Sequence, residues 1–121
     1  MKSYTDIEQS KKLVEILSLE SADTIWDLTN PDLPIIRAIP YEDSDYNNKY
    51  LNIIPSWSLA ALLNVLNSIE GWYPGIDAQV GEEHNWQICM FSYETGSDLR
   101  TAAANKELVD TCYEVILKLY E

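Results

Sequence analysis

The chain has 121 residues, 46% hydrophobic and 23% charged, which are globular proportions. That length holds one domain, and folding removes about two thirds of the chain's surface from water. Twenty Asp and Glu against eight Lys and Arg leave a formal charge of -12, which speaks against direct binding of nucleic acid phosphate or anionic lipid, since both require clustered basic side chains.

Thr5 followed by Glu8 has capping-box spacing and predicts the start of a first helix ending near Ser18 or Leu19. Ile7, Leu13, Val14 and Leu17 fall on one side of it, with Glu8, Lys12 and Glu15 away from them. The amino-terminal run MKSYTDIEQSKK has no apolar stretch of signal-peptide length, so a cytoplasmic location is expected. ESADTIWDLTNPDLP is turn-rich and predicts a loop with Ile25, Trp26 and Leu28 tucked inward. LPIIRAIPY is extended in character, and Pro34 and Pro40 confine it to a sheet edge. Tyr50–Ile54 predicts a second strand, paired with the first as a hairpin across EDSDYNN.

A second helix is predicted from Pro55 or Ser56 to Ile69. Tyr50 to Ile69 carries no charge, but Pro55 and several Ser and Asn residues interrupt it, and its helical part reaches only about two thirds of a hydrocarbon core, so no membrane span is expected. Leu59, Leu62, Leu63, Leu66 and Ile69 form its apolar stripe, with Trp57, Ala60, Ala61, Asn64 and Ser68 around the rest. The small-residue side suits close packing against the first or last helix, with a homodimer contact as the alternative.

GWYPG breaks the chain, and IDAQVGEEHNWQICMFSY predicts a hairpin turning at Gly81 to Asn85. Its second arm sends Trp86, Ile88 and Met90 to one face and Cys89, Phe91 and Tyr93 to the other, the mark of a central strand. After ETGSD, a helix is predicted over Thr101–Tyr120, with Leu108, Val109, Cys112, Val115, Ile116 and Leu119 as its apolar side. Together these elements predict an α+β fold: a single two-layer domain (residues 1–121), with a short, mainly antiparallel sheet and about three helices mostly on one face.

The run IIPSWSLAALLNVL, the hairpin arm WQICMFSY and the final ELVDTCYEVILKLYE resemble a group of small uncharacterised proteins from gut anaerobic bacteria, often met near prophages and other mobile elements. The matching positions are Pro55, Ser56, Trp57, Ser58, Leu59, Leu62 and Leu63, and the likeness covers roughly the second half of the chain. It implies a fold and a cytosolic bacterial setting. The group has no established activity, so no mechanism is transferred.

No catalytic, metal-binding or cofactor-binding residue is selected. His84 lies between Glu83 and Asn85, and adjacent residues in a turn diverge where zinc needs three or four converging ligands. Glu42, Asp43 and Asp45 lack the glycine and further oxygen ligands of a calcium loop. With glycine only at 71, 75, 81 and 96, no phosphate-cradling loop can be written. Cys89 and Cys112 read as reduced, small core hydrophobes.

Eight Tyr and four Trp beside one Phe are less bland, because Tyr and Trp are favoured at interfaces. Trp57, Trp72 and Tyr73 are the candidate partner-binding anchors, although one ring of GWYPG could instead cover the end of the second helix. The expected function is a non-enzymatic cytosolic protein-interaction module with a protein partner of unknown identity, and the resemblance adds an accessory role in a mobile element. A second reading is an acidic nucleic-acid mimic that occupies a basic DNA-binding protein. A third is a small enzyme or ligand-binding protein.

Overall fold

The computed structural model describes residues 1–38, 52–79, 85–96 and 98–120. Its first helix, α1 (Ile7–Ile16), is capped by Asp6, one residue beyond the predicted Thr5. The Asp6 carboxylate accepts from the Gln9 amide at 2.8 Å, and the Gln9 side chain accepts from the Asp6 amide at 3.0 Å. Thr5 is buried instead: its hydroxyl accepts from the Trp57 amide at 3.1 Å and lies 2.8 Å from Ser10 Oγ. The buried side of α1 is accordingly Ser10 and Leu13, followed by Leu17 at its C-cap, while Val14 is 38% exposed.

The segment expected as a loop contains β1 (Thr24–Asp27), the middle strand of a three-stranded sheet. It pairs antiparallel with β2 (Ile35–Ala38) on one side and β3 (Ile53–Ser56) on the other. β2 is therefore an edge strand, as its prolines predict, but it forms no direct hairpin with the next strand because β1 lies between them. Pro40, the EDSD acids, Tyr50 and Leu51 lie outside the described residues. Within Tyr4–Ser58, one of two compact units, α1 packs on β3, and Tyr4 forms an isolated antiparallel bridge with Ser58. Asp27 turns inward from β1, where its carboxylate accepts from the Thr29 amide and from Arg37 Nε, each at 3.0 Å. The Thr29 hydrogen bonds and then Arg37 hold its carboxyl below the usual carboxylate value.

The other unit joins Met1–Ser3 to Leu59–Glu121. Helix α2 (Leu59–Asn67) begins later than predicted, because β3 extends through Ser56. Its buried residues are Ala61, Leu62, Val65 and Leu66, a stripe rotated toward the side expected to be small and polar. GWYPG is no open loop: Gly71, at φ +83°, makes the left-handed turn, and β4 (Trp72–Gln79) starts at the next residue. β4 pairs with β5 (Asn85–Ser92) in the predicted hairpin, and β5 pairs on its far side with β6 (Leu99–Asn105). β5 is central, as its two apolar faces predict.

The residues from Thr101 to Asn105, expected as the start of a helix, belong to β6, and helix α3 is confined to Leu108–Tyr120. Its buried residues include Leu108, Val109, Cys112, Val115 and Ile116 as predicted, with Thr111 beside them. α3 packs on β5, β6 and α2, and α2 packs on β4, so both helices cover one face of this sheet. Ile88, Met90 and Ala103 are the strand residues buried beneath them. The α+β class, three α-helices among the described residues and antiparallel pairing match the sequence reading, with the strands divided between two short sheets.

Both edges of the second sheet are blunted. Pro74 removes a donor from β4, and Lys118 Nζ donates to the Ala102 carbonyl of β6 at 2.7 Å.

Candidate functional site

Side chains alternate along a strand, so residues that do not face α2 and α3 face away from them. These include Tyr73, Gly75 and Asp77 on β4, Gln87, Cys89 and Phe91 on β5, and Leu99, Ala102 and Ala104 on β6. The register aligns them in three cross-strand rows: Tyr73, Phe91 and Leu99; Gly75, Cys89 and Ala102; Asp77, Gln87 and Ala104. A register shift between Met90 and Phe91 brings Leu99 rather than Arg100 opposite Phe91 and keeps the aromatic row continuous.

The first row holds an aromatic cluster. The Tyr73 ring lies 5.8 Å from Phe91 and 5.0 Å from Tyr93, tilted by 38° and 48°. Phe91 leans onto the backbone of Gly75, where an added Cβ would fall 2.7 Å from ring atom Cε2. Cross-strand aromatic packing of this kind stabilises a sheet by itself and accounts for the half-buried Tyr73 and Phe91. It does not account for Tyr93 and Leu99, which remain 65% and 54% exposed. The middle row is low, built from glycine, cysteine and alanine, and the third row ends in a carboxylate.

Cys89 is half-buried on this face and so is not the core residue the sequence predicts, whereas Cys112 is fully buried in α3. Burial, and then the negative charge of Asp77, raise the Cys89 thiol above its ordinary value. Burial pushes Cys112 up to about 12. Neither thiol has the lowered pKa of a nucleophile.

The three expected anchors separate. Trp57 is fully buried, and its indole Nε1 donates to Ser21 Oγ at 2.9 Å, so its surface is spent inside the fold and a partner cannot reach it. Trp72 and Tyr73 are consecutive on β4 and point to opposite faces. Trp72 is half-buried on the helix side, with the Arg100 guanidinium 5.9 Å from its ring centroid. Tyr73 alone joins the open face. Phe91, Tyr93 and Leu99 complete the cluster, and the alternation of WQICMFSY signalled two of them. Leu99 falls between the predicted ETGSD turn and the helix predicted from Thr101, so no local pattern signals it.

His84, Glu82 and Glu83 lie outside the described residues, and among those described no three His, Cys, Asp or Glu side chains are grouped to hold a metal ion. No described helix is long and apolar enough to cross a membrane. No family model, curated protein or solved structure matches the chain.

Proposed function

We propose that the chain is a non-enzymatic protein-interaction module, and that the open face of β4, β5 and β6 is its contact surface. The observation that carries this reading is the aromatic cluster of Tyr73, Phe91 and Tyr93 on the sheet face opposite the helices, with Tyr93 and Leu99 more than half exposed. Large aromatic and apolar side chains gathered on one open face are the residues that supply binding energy when a partner excludes water from them. Blunted strand edges favour docking onto the face over strand addition. An accessory role in a bacterial mobile element belongs to the same proposal and rests on the resemblance of the second half of the chain.

The test is co-purification of the tagged chain from the cells that encode it, beside a Tyr73→Ser, Tyr93→Ser double variant. A stoichiometric protein retained by the wild type at high salt and lost from a folded double variant is the expected result. No retained protein, or one indifferent to the double variant, would contradict the proposal. A nucleic-acid-binding protein held only at low salt by both forms would favour mimicry instead.

A further inference from the structure

We infer that the open face of β4, β5 and β6 receives a partner segment presenting a Lys or Arg side chain beside an apolar one. This rests on the interaction reading above and names the chemistry of the partner.

Tyr73, Phe91 and Leu99 line one end, Gly75, Cys89 and Ala102 form a low middle row, and Asp77 stands at the other end. The strand residues on this face include an exposed carboxylate and no Lys or Arg. The nearest strand cation, Arg100, is directed to Trp72 on the opposite face, and Lys118 is engaged with the Ala102 carbonyl. Aromatic ring faces and a carboxylate attract the same sign of charge. A long cationic side chain can lay its methylene stem over Cys89 and Ala102, beside the Phe91 ring that covers Gly75, and bring its head to Asp77 or to a ring face, while its apolar neighbour covers Tyr93 and Leu99.

A second copy of the chain fits less well. It would bring a second charge of -12 to a face whose described strand residues include no cation. An acidic segment would meet the same repulsion. A purely apolar segment would leave Asp77 facing it without a counter-charge, at a desolvation cost.

The test is a nuclear magnetic resonance titration of the isotope-labelled full chain with short peptides of alternating Arg and Leu, Ser and Leu, or Glu and Leu. The Arg–Leu peptide is expected to shift the amides of Tyr73, Asp77, Cys89 and Phe91 saturably. The Ser–Leu peptide should bind more weakly and the Glu–Leu peptide should leave these amides unmoved. Asp77→Asn should weaken the Arg–Leu peptide about two- to fivefold, the range for an exposed ion pair. Tyr93→Ala should weaken it about threefold or more by removing apolar surface that the Leu side chains cover, and Asp32→Asn, an exposed acid outside this sheet, should leave it unchanged.

Equal affinity of the Ser–Leu and Arg–Leu peptides for these amides would overturn the cationic partner and leave the interaction face standing. Failure of every peptide to shift them would overturn both. Amide shifts on dilution of the chain alone would identify a second copy as the occupant, and scattered shifts equally sensitive to Asp32→Asn and Asp77→Asn would reduce binding to general attraction by an acidic surface; either overturns the inference.

Discussion

Replacing Trp57 by alanine is expected to destabilise the fold by about 3–5 kcal/mol, the cost of deleting a large buried aromatic side chain. Trp57 is 0% exposed and is tied at three points. Its carbonyl accepts from the Thr5 amide at 2.9 Å, its amide donates to Thr5 Oγ1 at 3.1 Å, and its indole donates to Ser21 Oγ at 2.9 Å. The backbone bonds survive the substitution, so the loss comes from the indole and the cavity it leaves. Trp57→Phe retains most of the apolar contact. It also leaves no orphaned group, because the Ser21 hydroxyl still donates to the Ser18 carbonyl at 2.6 Å. It should therefore cost less than half as much, on the order of 1–2 kcal/mol, by the same packing argument. Equilibrium denaturation of the three forms measures both values. A change below about 1 kcal/mol for Trp57→Ala would be incompatible with a fully buried indole.

The second large effect contrasts neighbouring residues of β5. Ile88 is 0% exposed and pairs with Ile76 and Ala103 on the face beneath the helices, whereas Cys89 lies on the open face between Gly75 and Ala102. Ile88→Asp puts an unpaired carboxylate where water is excluded, a cost of several kcal/mol against a total stability of about 5–15 kcal/mol for a domain of ordinary size. The variant should lose the native circular dichroism of this unit or require a sharply lower denaturant concentration to unfold. Cys89→Ser places a small polar group where water already reaches and should cost about 1 kcal/mol or less. Comparable losses at both positions would mean that both faces of the sheet are closed.

Much of the fold is legible in the sequence because its periodicities are strong. Alternation along WQICMFSY marks a two-faced central strand, and the stripe from Leu108 to Ile116 marks the last helix. Where the reading departs from the structure, local preference is overridden by a distant partner. Thr5 and Asp6 each begin a capping-box pattern; Asp6 prevails because the Thr5 hydroxyl is committed to Trp57 and Ser10, a choice visible only once β3 is beside it. The four residues of β1 are too short for a period and lie among turn formers, so their role depends on strands on both sides. TAAAN carries the best helix formers, but pairing with β5 makes it a strand, and Ala103 is buried on the face that α3 covers.

The candidate site is half legible for the same reason. Tyr73 stands out for its aromatic character, but its partners come from β5, the residue just after it and β6, whose register no local pattern specifies. Trp57 shows the opposite failure. An aromatic residue at a helix start suits an anchor as well as a core, and only its burial and its bond to Ser21 decide between them.

The central claim, that one face of the β4–β5–β6 sheet is closed by helices and the other is open, is tested most directly by alkylating the two native thiols. A small thiol reagent would be applied to the folded chain at mildly alkaline pH, and the modified residue identified by peptide mass. Both thiols ionise above their ordinary range, Cys112 at about 12, so both react slowly, and exposure separates them. The predicted result is gradual labelling of Cys89 alone in the native protein, with Cys112 reacting only after denaturant unfolds it. Protection of Cys89 equal to that of Cys112 would mean that the aromatic face is covered in the folded chain and would contradict the account.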